Sequence, residues 1–283
     1  MANTQEIKRR IRGINNIKQI TNAMELVSTA KFRRAKIQLE ASRPYYERVV
    51  ASIREALKGV KAPHPLLEQR EVKTVLYIVL TSDRGLAGGY NANVQNLVQE
   101  TIEKRQAAAK LIVVGSKGRE YFSRREMEIV ESYTEASENP NPKDAQVIGQ
   151  LAMDLYESGE VDAIDIVFTQ FYSILQHEPQ LVRLLPSENF DKEEGQAQVL
   201  VDFEPSADEV LDYLIPKYIE SSILGALIEA SASEQGARRT AMEAATENAE
   251  DMIDELATNY NRVRQAAITA EITEIVGATD AIS

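Results

Sequence analysis

The 283-residue sequence contains no cysteine, which excludes disulfide frameworks, thiolate zinc sites and cysteine nucleophiles. Histidine occurs only at His64 and His177, so a histidine-based metal centre is not expected, and no cofactor is called for. Long hydrophobic runs are missing as well. Val75 to Leu80 is among the longest and falls far short of the ~20 residues that a membrane span needs. The opening residues are charged rather than signal-like, so the chain is expected on the cytoplasmic side of any membrane.

What is present is a folded composition, 43% apolar and 27% charged, with a net charge of -12 that argues against general affinity for nucleic acid or anionic lipid. The charge is unevenly divided. Residues 1–60 carry 13 Lys and Arg against 5 Asp and Glu, residues 61–205 carry 14 against 24, and residues 206–283 carry 5 against 15.

From Ala2 to Lys58 only Gly13 and Pro44 interrupt a helical pattern, and Ile7, Ile11, Ile14, Ile17, Ile20, Met24 and Val27 recur every three or four residues. The spacing predicts one long amphipathic helix, capped at Asn3 or Thr4 with Glu6 in its first turn, kinked at Pro44 and stopped by Gly59 and the prolines beyond it. After Phe203-Glu204-Pro205-Ser206 a second long helix is expected, with Ser206 and Glu209 forming a capping box. Its apolar positions include Leu211, Leu214, Ile215, Tyr218, Met252, Leu256, Tyr260, Val263, Ala267 and Ala270, and the stretch between is rich in Ala and Ser. Such helices would be roughly 85 and 100 Å long, whereas a domain of the middle segment's size has a radius of gyration of about 15 Å. Their stripes therefore need each other or another protein, and the opposite charges favour antiparallel pairing in a coiled coil.

The middle alternates as an α/β unit built on a parallel sheet: strands at Thr74–Thr81 and Lys110–Val114, helices near Asn91–Arg105 and Arg119–Arg124, then a helix from Ala145 to Glu157 and a strand from Ala163 to Phe171. Weaker strands are expected around Leu181–Leu185 and Val199–Phe203. The loop Ser82-Asp83-Arg84-Gly85-Leu86-Ala87-Gly88-Gly89 lies between strand and helix, where α/β proteins bind phosphates, but it has neither dinucleotide nor P-loop spacing and reads as a structural turn. Gly115-Ser116-Lys117-Gly118-Arg119 reads as a tight turn whose basic side chains are open to a partner. Glu193 and Glu194 form no general acid/base pair, and His177, in a hairpin or loop, has no nucleophile elbow to serve. The last helix ends apolar, with Ile268, Ile272, Ile275, Val276 and Ile282. This end either packs on the first helix and frays, or inserts into an apolar socket made by other subunits.

Several stretches together resemble one family. They are Ile14-Asn15-Asn16-Ile17-Lys18-Gln19-Ile20-Thr21-Asn22-Ala23-Met24-Glu25-Leu26-Val27, Ser82 to Asn91, Phe168-Thr169-Gln170-Phe171, Leu184-Leu185-Pro186, Ala232 to Met242 and Asn259 to Glu271. On these the chain resembles the gamma subunit of bacterial rotary ATP synthase, with Ala87 where many members have cysteine. The resemblance implies an α/β fold made of a long antiparallel coiled coil, residues 1–60 with 206–283, and a central Rossmann-like α/β foot domain, residues 61–205. It implies a non-catalytic shaft between a proton-driven rotor ring of c subunits and a hexamer of three alpha and three beta subunits, beside the epsilon subunit, at the bacterial cell membrane. The coupling ion itself is left open.

Carried over by position, Met24, Arg238, Arg264, Gln265, Thr269 and Glu271 match family residues that touch beta-subunit loops or each other, and Phe203 and Glu204 match the region that meets the rotor ring. Two rival readings remain: a stand-alone nucleotide-binding hydrolase with helical arms, and a static coiled-coil scaffold.

Overall fold

The computed structural model describes residues 2–58, 66, 70–186 and 207–280, and side chains at all of these except 2, 3, 54–58, 207, 208, 271 and 274–280. The chain divides into two compact units, residues 29–238 and residues 1–28 with 239–283.

Residues 29–238 are built on a five-stranded sheet. In chain order the elements are helix α1 (Ala2–Lys58), β1 (Thr74–Leu80), α2 (Tyr90–Arg105), β2 (Ala108–Val114), α3 (Ser116–Ser123), β3 (Glu128–Tyr133), α4 (Pro142–Glu157), β4 (Ala163–Phe171), β5 (His177–Leu185) and α5 (Ala207–Asp280). The strand order is β3-β2-β1-β4-β5. The first four strands are parallel, as expected for βαβ connections, and β5 returns antiparallel to β4, making the sheet mixed. His177 opens β5 opposite Phe171, so of the hairpin and the loop that the sequence allows it lies in the hairpin.

The apolar run of β1 is explained by burial on both faces. Leu76, Ile78 and Leu80 join Ile112, Ile164 and Ile166 in a core closed by Ile148 and Tyr156 of α4 and by Ile215, Ile219 and Ile223 of α5. Val75, Tyr77 and Val79 point the other way, into a core with Val94 and Val98 of α2 and Phe122 of α3. A third cluster joins Phe32 and Leu39 of α1, Phe171 and Ile228, with the Phe32 and Phe171 ring centroids 5.7 Å apart. The fully buried Asp165 of β4 is paired with both Arg105 and Arg183, so its charge is compensated.

In residues 1–28 and 239–283, α1 and α5 pair antiparallel. Lys8 lies over the ring of Tyr260, Lys18 Nζ is 2.6 Å from Glu250, and Thr246 Oγ1 donates to Thr21 Oγ1 at 2.8 Å, so one number falls as the other rises. The buried and half-buried positions include Ile7, Ile11, Ile14, Lys18, Thr21, Glu25 and Ser28 on α1, and Met242, Thr246, Ala249, Ile253, Leu256, Tyr260, Val263 and Ala267 on α5. Steps of three and four alternate along both, as in a coiled coil.

Several expectations are corrected. The helix starts at Ala2, so Asn3 and Thr4 lie within it, and no acid occupies its first turn. Glu6 instead pairs with Arg10 one turn on. α1 runs through Pro44 as one helix. α4 starts at Pro142, three residues early, because Asn141 accepts the Asp144 amide and a proline suits the first helical position. Edge strand β3 was missed, since Glu128 to Tyr133 is polar and only half-buried. The Val199–Phe203 strand, Ser206 and Gly59 lie outside the described residues.

Candidate partner interface

The predicted apolar stripe of α1 is two stripes. A step of three residues turns a helix 60° short of a full circle, so the series Ile14, Ile17, Ile20 swings off the seam. Ile14 stays half-buried, whereas Ile17 and Ile20 are 55% and 59% exposed, and Val27 is 57% exposed. Polar Lys18, Thr21 and Ser28 take the inner positions instead. Met24 is half-buried at the margin between the two stripes. Met252, expected inside, is 52% exposed, because Ile253 takes the seam.

On α5 the outward groups are Arg264, Gln265, Ile268, Thr269 and Ile272. Arg264 lies 6.0 Å from the centroid of the Tyr260 ring, and the Thr269 hydroxyl donates to the Gln265 carbonyl at 2.9 Å. Arg264, Ile268 and Ile272 are spaced by four and stack along one face. Glu271 is helical in backbone, with its side chain outside the described residues. Phe203 and Glu204 are also outside them.

The structure turns Arg238 inward. It is buried, donates to Glu234 at 2.6 Å and to the Arg84 carbonyl at 2.9 Å, and reaches the Gly85 carbonyl at 3.4 Å. These residues all belong to unit 29–238. Arg238 therefore holds the loop after β1, a role beside the family contact expected of it. Burial pushes the Glu234 carboxyl up to about 7, and the Arg238 charge only partly offsets this.

The same loop closes the crevice where α/β proteins hold ligands. Asp83 accepts from the Ser116 amide at the start of α3 (2.9 Å), from its hydroxyl (3.0 Å) and from the Glu135 amide (2.8 Å). Asn91 accepts from the Ser82 amide, and the Thr81 hydroxyl accepts from the Gly118 amide. Gly115, at φ +99°, sits so close to Thr81 that a Cβ would be 2.3 Å from its carbonyl oxygen. The chain's own carboxylate thus takes the donors that a phosphate would need. Lys117 is held by Glu120 at 2.8 Å. Among the described residues no group of His, Asp or Glu could hold a metal ion, and no helix is long and apolar enough to cross a membrane.

Comparison with known proteins gives one consistent answer. The ATP synthase family model matches residues 3–282. The chain is 48% identical to the ATP synthase gamma chain of Alkaliphilus metalliredigens, over 98% of each. It is 44% identical to the sodium ion specific ATP synthase gamma chain of Acetobacterium woodii, over 99% of each. Among solved structures, a chain of the Euglena gracilis mitochondrial ATP synthase in its OSCP/F1/c-ring assembly has the same fold, with a TM-score of 0.75 at 18% identity over 99% of this chain and 95% of that one.

Proposed function

This chain belongs to the ATP synthase gamma-chain family and is the non-catalytic central shaft of that rotary enzyme, and on this premise we propose which of its surfaces carry the work. Its partners are the three alpha and three beta subunits, the epsilon subunit and the c-subunit ring. Catalysis takes place in the beta subunits. A single asymmetric shaft inside a threefold ring meets each beta subunit differently, and this bias shifts their open and closed states in turn.

The working surface of the helix pair is the outward stripe Ile17, Ile20 and Val27 with Met24 at its edge, together with Arg264, Gln265, Ile268 and Thr269 on α5 and Glu271 beside them. One observation supports this most: large aliphatic side chains point outward while lysine, threonine and serine point inward. Stability of the pair alone would favour the reverse, so the outward stripe fits a surrounding apolar sleeve. The contacts are mixed with exposed polar groups worth ~0.2–1 kcal/mol each, weak enough to be made and broken in each turn. Phe203 and Glu204 are assigned to the rotor-ring end by family resemblance. The same resemblance supports a peripheral location at the bacterial cell membrane, on the cytoplasmic side.

The test is a reversible cross-link. In the reconstituted enzyme, Ile20→Cys joined by a disulfide to a cysteine on a facing beta-subunit loop should stop multisite ATP turnover, and reduction should restore it. Full turnover in the cross-linked enzyme would exclude the shaft surface and favour the static scaffold.

A further inference from the structure

A shaft must be fixed to the domain it turns, and the structure contains one polar knot suited to that. Glu229 of α5, 4% exposed, accepts four hydrogen bonds: from Arg43 Nε and Nη2 at 2.8 Å each, from the Tyr46 hydroxyl at 2.8 Å, and from the Phe171 amide at 2.9 Å. Arg43 Nη2 also donates to the Phe171 carbonyl at 2.8 Å. One carboxylate therefore ties α1, α5 and the end of β4 together. One turn along α5, the Ser233 hydroxyl donates to the Thr169 carbonyl of the same strand at 3.1 Å.

The buried clusters that join these helices to the sheet are apolar. Apolar contact resists separation but is non-directional, so under a twisting load packed faces can slide. Charge-assisted hydrogen bonds are short and directional, and a two-pronged arginine on a carboxylate also fixes orientation. The geometry also leaves no slack. A Cβ on Gly225 would lie 2.8 Å from the Tyr46 ring, so the helices touch at the position that presents the tyrosine hydroxyl to Glu229.

We propose that the Glu229–Arg43–Tyr46 knot is the torsional anchor of the shaft, with Glu229 and Arg43 acting as positioning residues that pass twist from the helix pair to the sheet domain. The proposal rests on the shaft reading. It separates two jobs that a purely structural ion pair would not separate: holding the fold and holding its angle under load.

The experiment compares Glu229→Gln, Arg43→Lys and Tyr46→Phe in the complete enzyme reconstituted into liposomes. ATP hydrolysis, ATP-driven ion pumping and single-molecule stall torque are measured per assembled complex. The anchor predicts that hydrolysis is kept while stall torque and the pumping-to-hydrolysis ratio fall. Arg43→Lys should resemble Glu229→Gln, since lysine keeps the charge but loses the two-pronged grip. An unchanged ratio and torque in all three variants would overturn the proposal, as would full rescue by lysine. If Glu229→Gln fails to assemble, the Arg43→Lys and Tyr46→Phe variants retain the buried carboxylate and decide the question by the same readouts. The Ile20→Cys cross-link is the control: if cross-linking leaves turnover intact the shaft reading itself fails, whereas turnover blocked by the cross-link, with unchanged coupling in the three variants, removes only the anchor.

Discussion

The two units of the chain solve the burial problem in opposite ways. In residues 29–238 every residue from Val75 to Leu80 is at most 1% exposed, and the buried carboxylates Asp165, Glu229 and Glu234 are each paired with an arginine. In residues 1–28 and 239–283 the inward seam contains Lys18, Thr21 and Ser28, while Ile17, Ile20, Met252, Ile268 and Ile272 lie outside. The first arrangement is a core that is complete without help. The second is a helix pair whose best apolar surface is offered outward, and whose inner polar pairs specify antiparallel register more than they add stability. On the proposed function, the difference separates a part of the molecule built to stay rigid from a part built to slide against others.

That contrast is broken most sharply at Arg238. Replacing it with Ala leaves Glu234 buried beside the loop carbonyls with no cation, and should cost about 3–5 kcal/mol in denaturant unfolding of the isolated subunit at alkaline pH, where the carboxyl would otherwise ionise. A loss no larger than that of a surface substitution would show that residues 29–238 tolerate uncompensated charge and are less demanding than described.

The second test is pH. Glu234 has a folded value of about 7, raised by burial above its ordinary 4.5. The folded state therefore holds this proton more tightly than the unfolded chain. Its contribution favours folding below pH 4.5 and is lost as pH rises through about 7. Glu234→Gln removes this dependence, so the stability of the variant relative to the parent should improve between pH 4.5 and pH 8, by on the order of 2–3 kcal/mol. A constant difference across that range would mean that Arg238 fully compensates the carboxylate.

Much of this comparison was legible in the sequence. The continuous apolar run of β1 and the bounds of β4 follow from residue pattern, and the two long helices follow from spacing and the scarcity of proline. The drift of the Ile14-Ile17-Ile20 steps also contained the signal for an outward stripe, although counting apolar positions at three or four residues merged it with the seam. What spacing could not reveal were partners distant in sequence. Nothing near Arg43 points to Glu229, and nothing near Arg238 points to the Arg84 carbonyl. Both arginines look like surface groups until the fold brings a carboxylate or a loop to them. Polar edge strand β3 was hidden for a related reason, since its place is set by pairing with β2 rather than by its own side chains.

The finest version of the comparison removes one methyl group from each unit. Ile78→Val in the middle of β1 deletes a methyl from a fully packed site and should cost about 0.5–1.5 kcal/mol. Ile20→Val deletes one from a 59% exposed side chain and should change the melting of the isolated subunit by less than about 0.5 kcal/mol. In the assembled enzyme the ranking should change. Ile20→Val removes contact with the sleeve and should measurably weaken binding of the shaft to the alpha/beta hexamer, whereas Ile78→Val should leave that binding at the parent level. Equal effects of the two in the assembly would mean that the outward isoleucines are bystanders, and that the polar groups of α5 alone engage the ring.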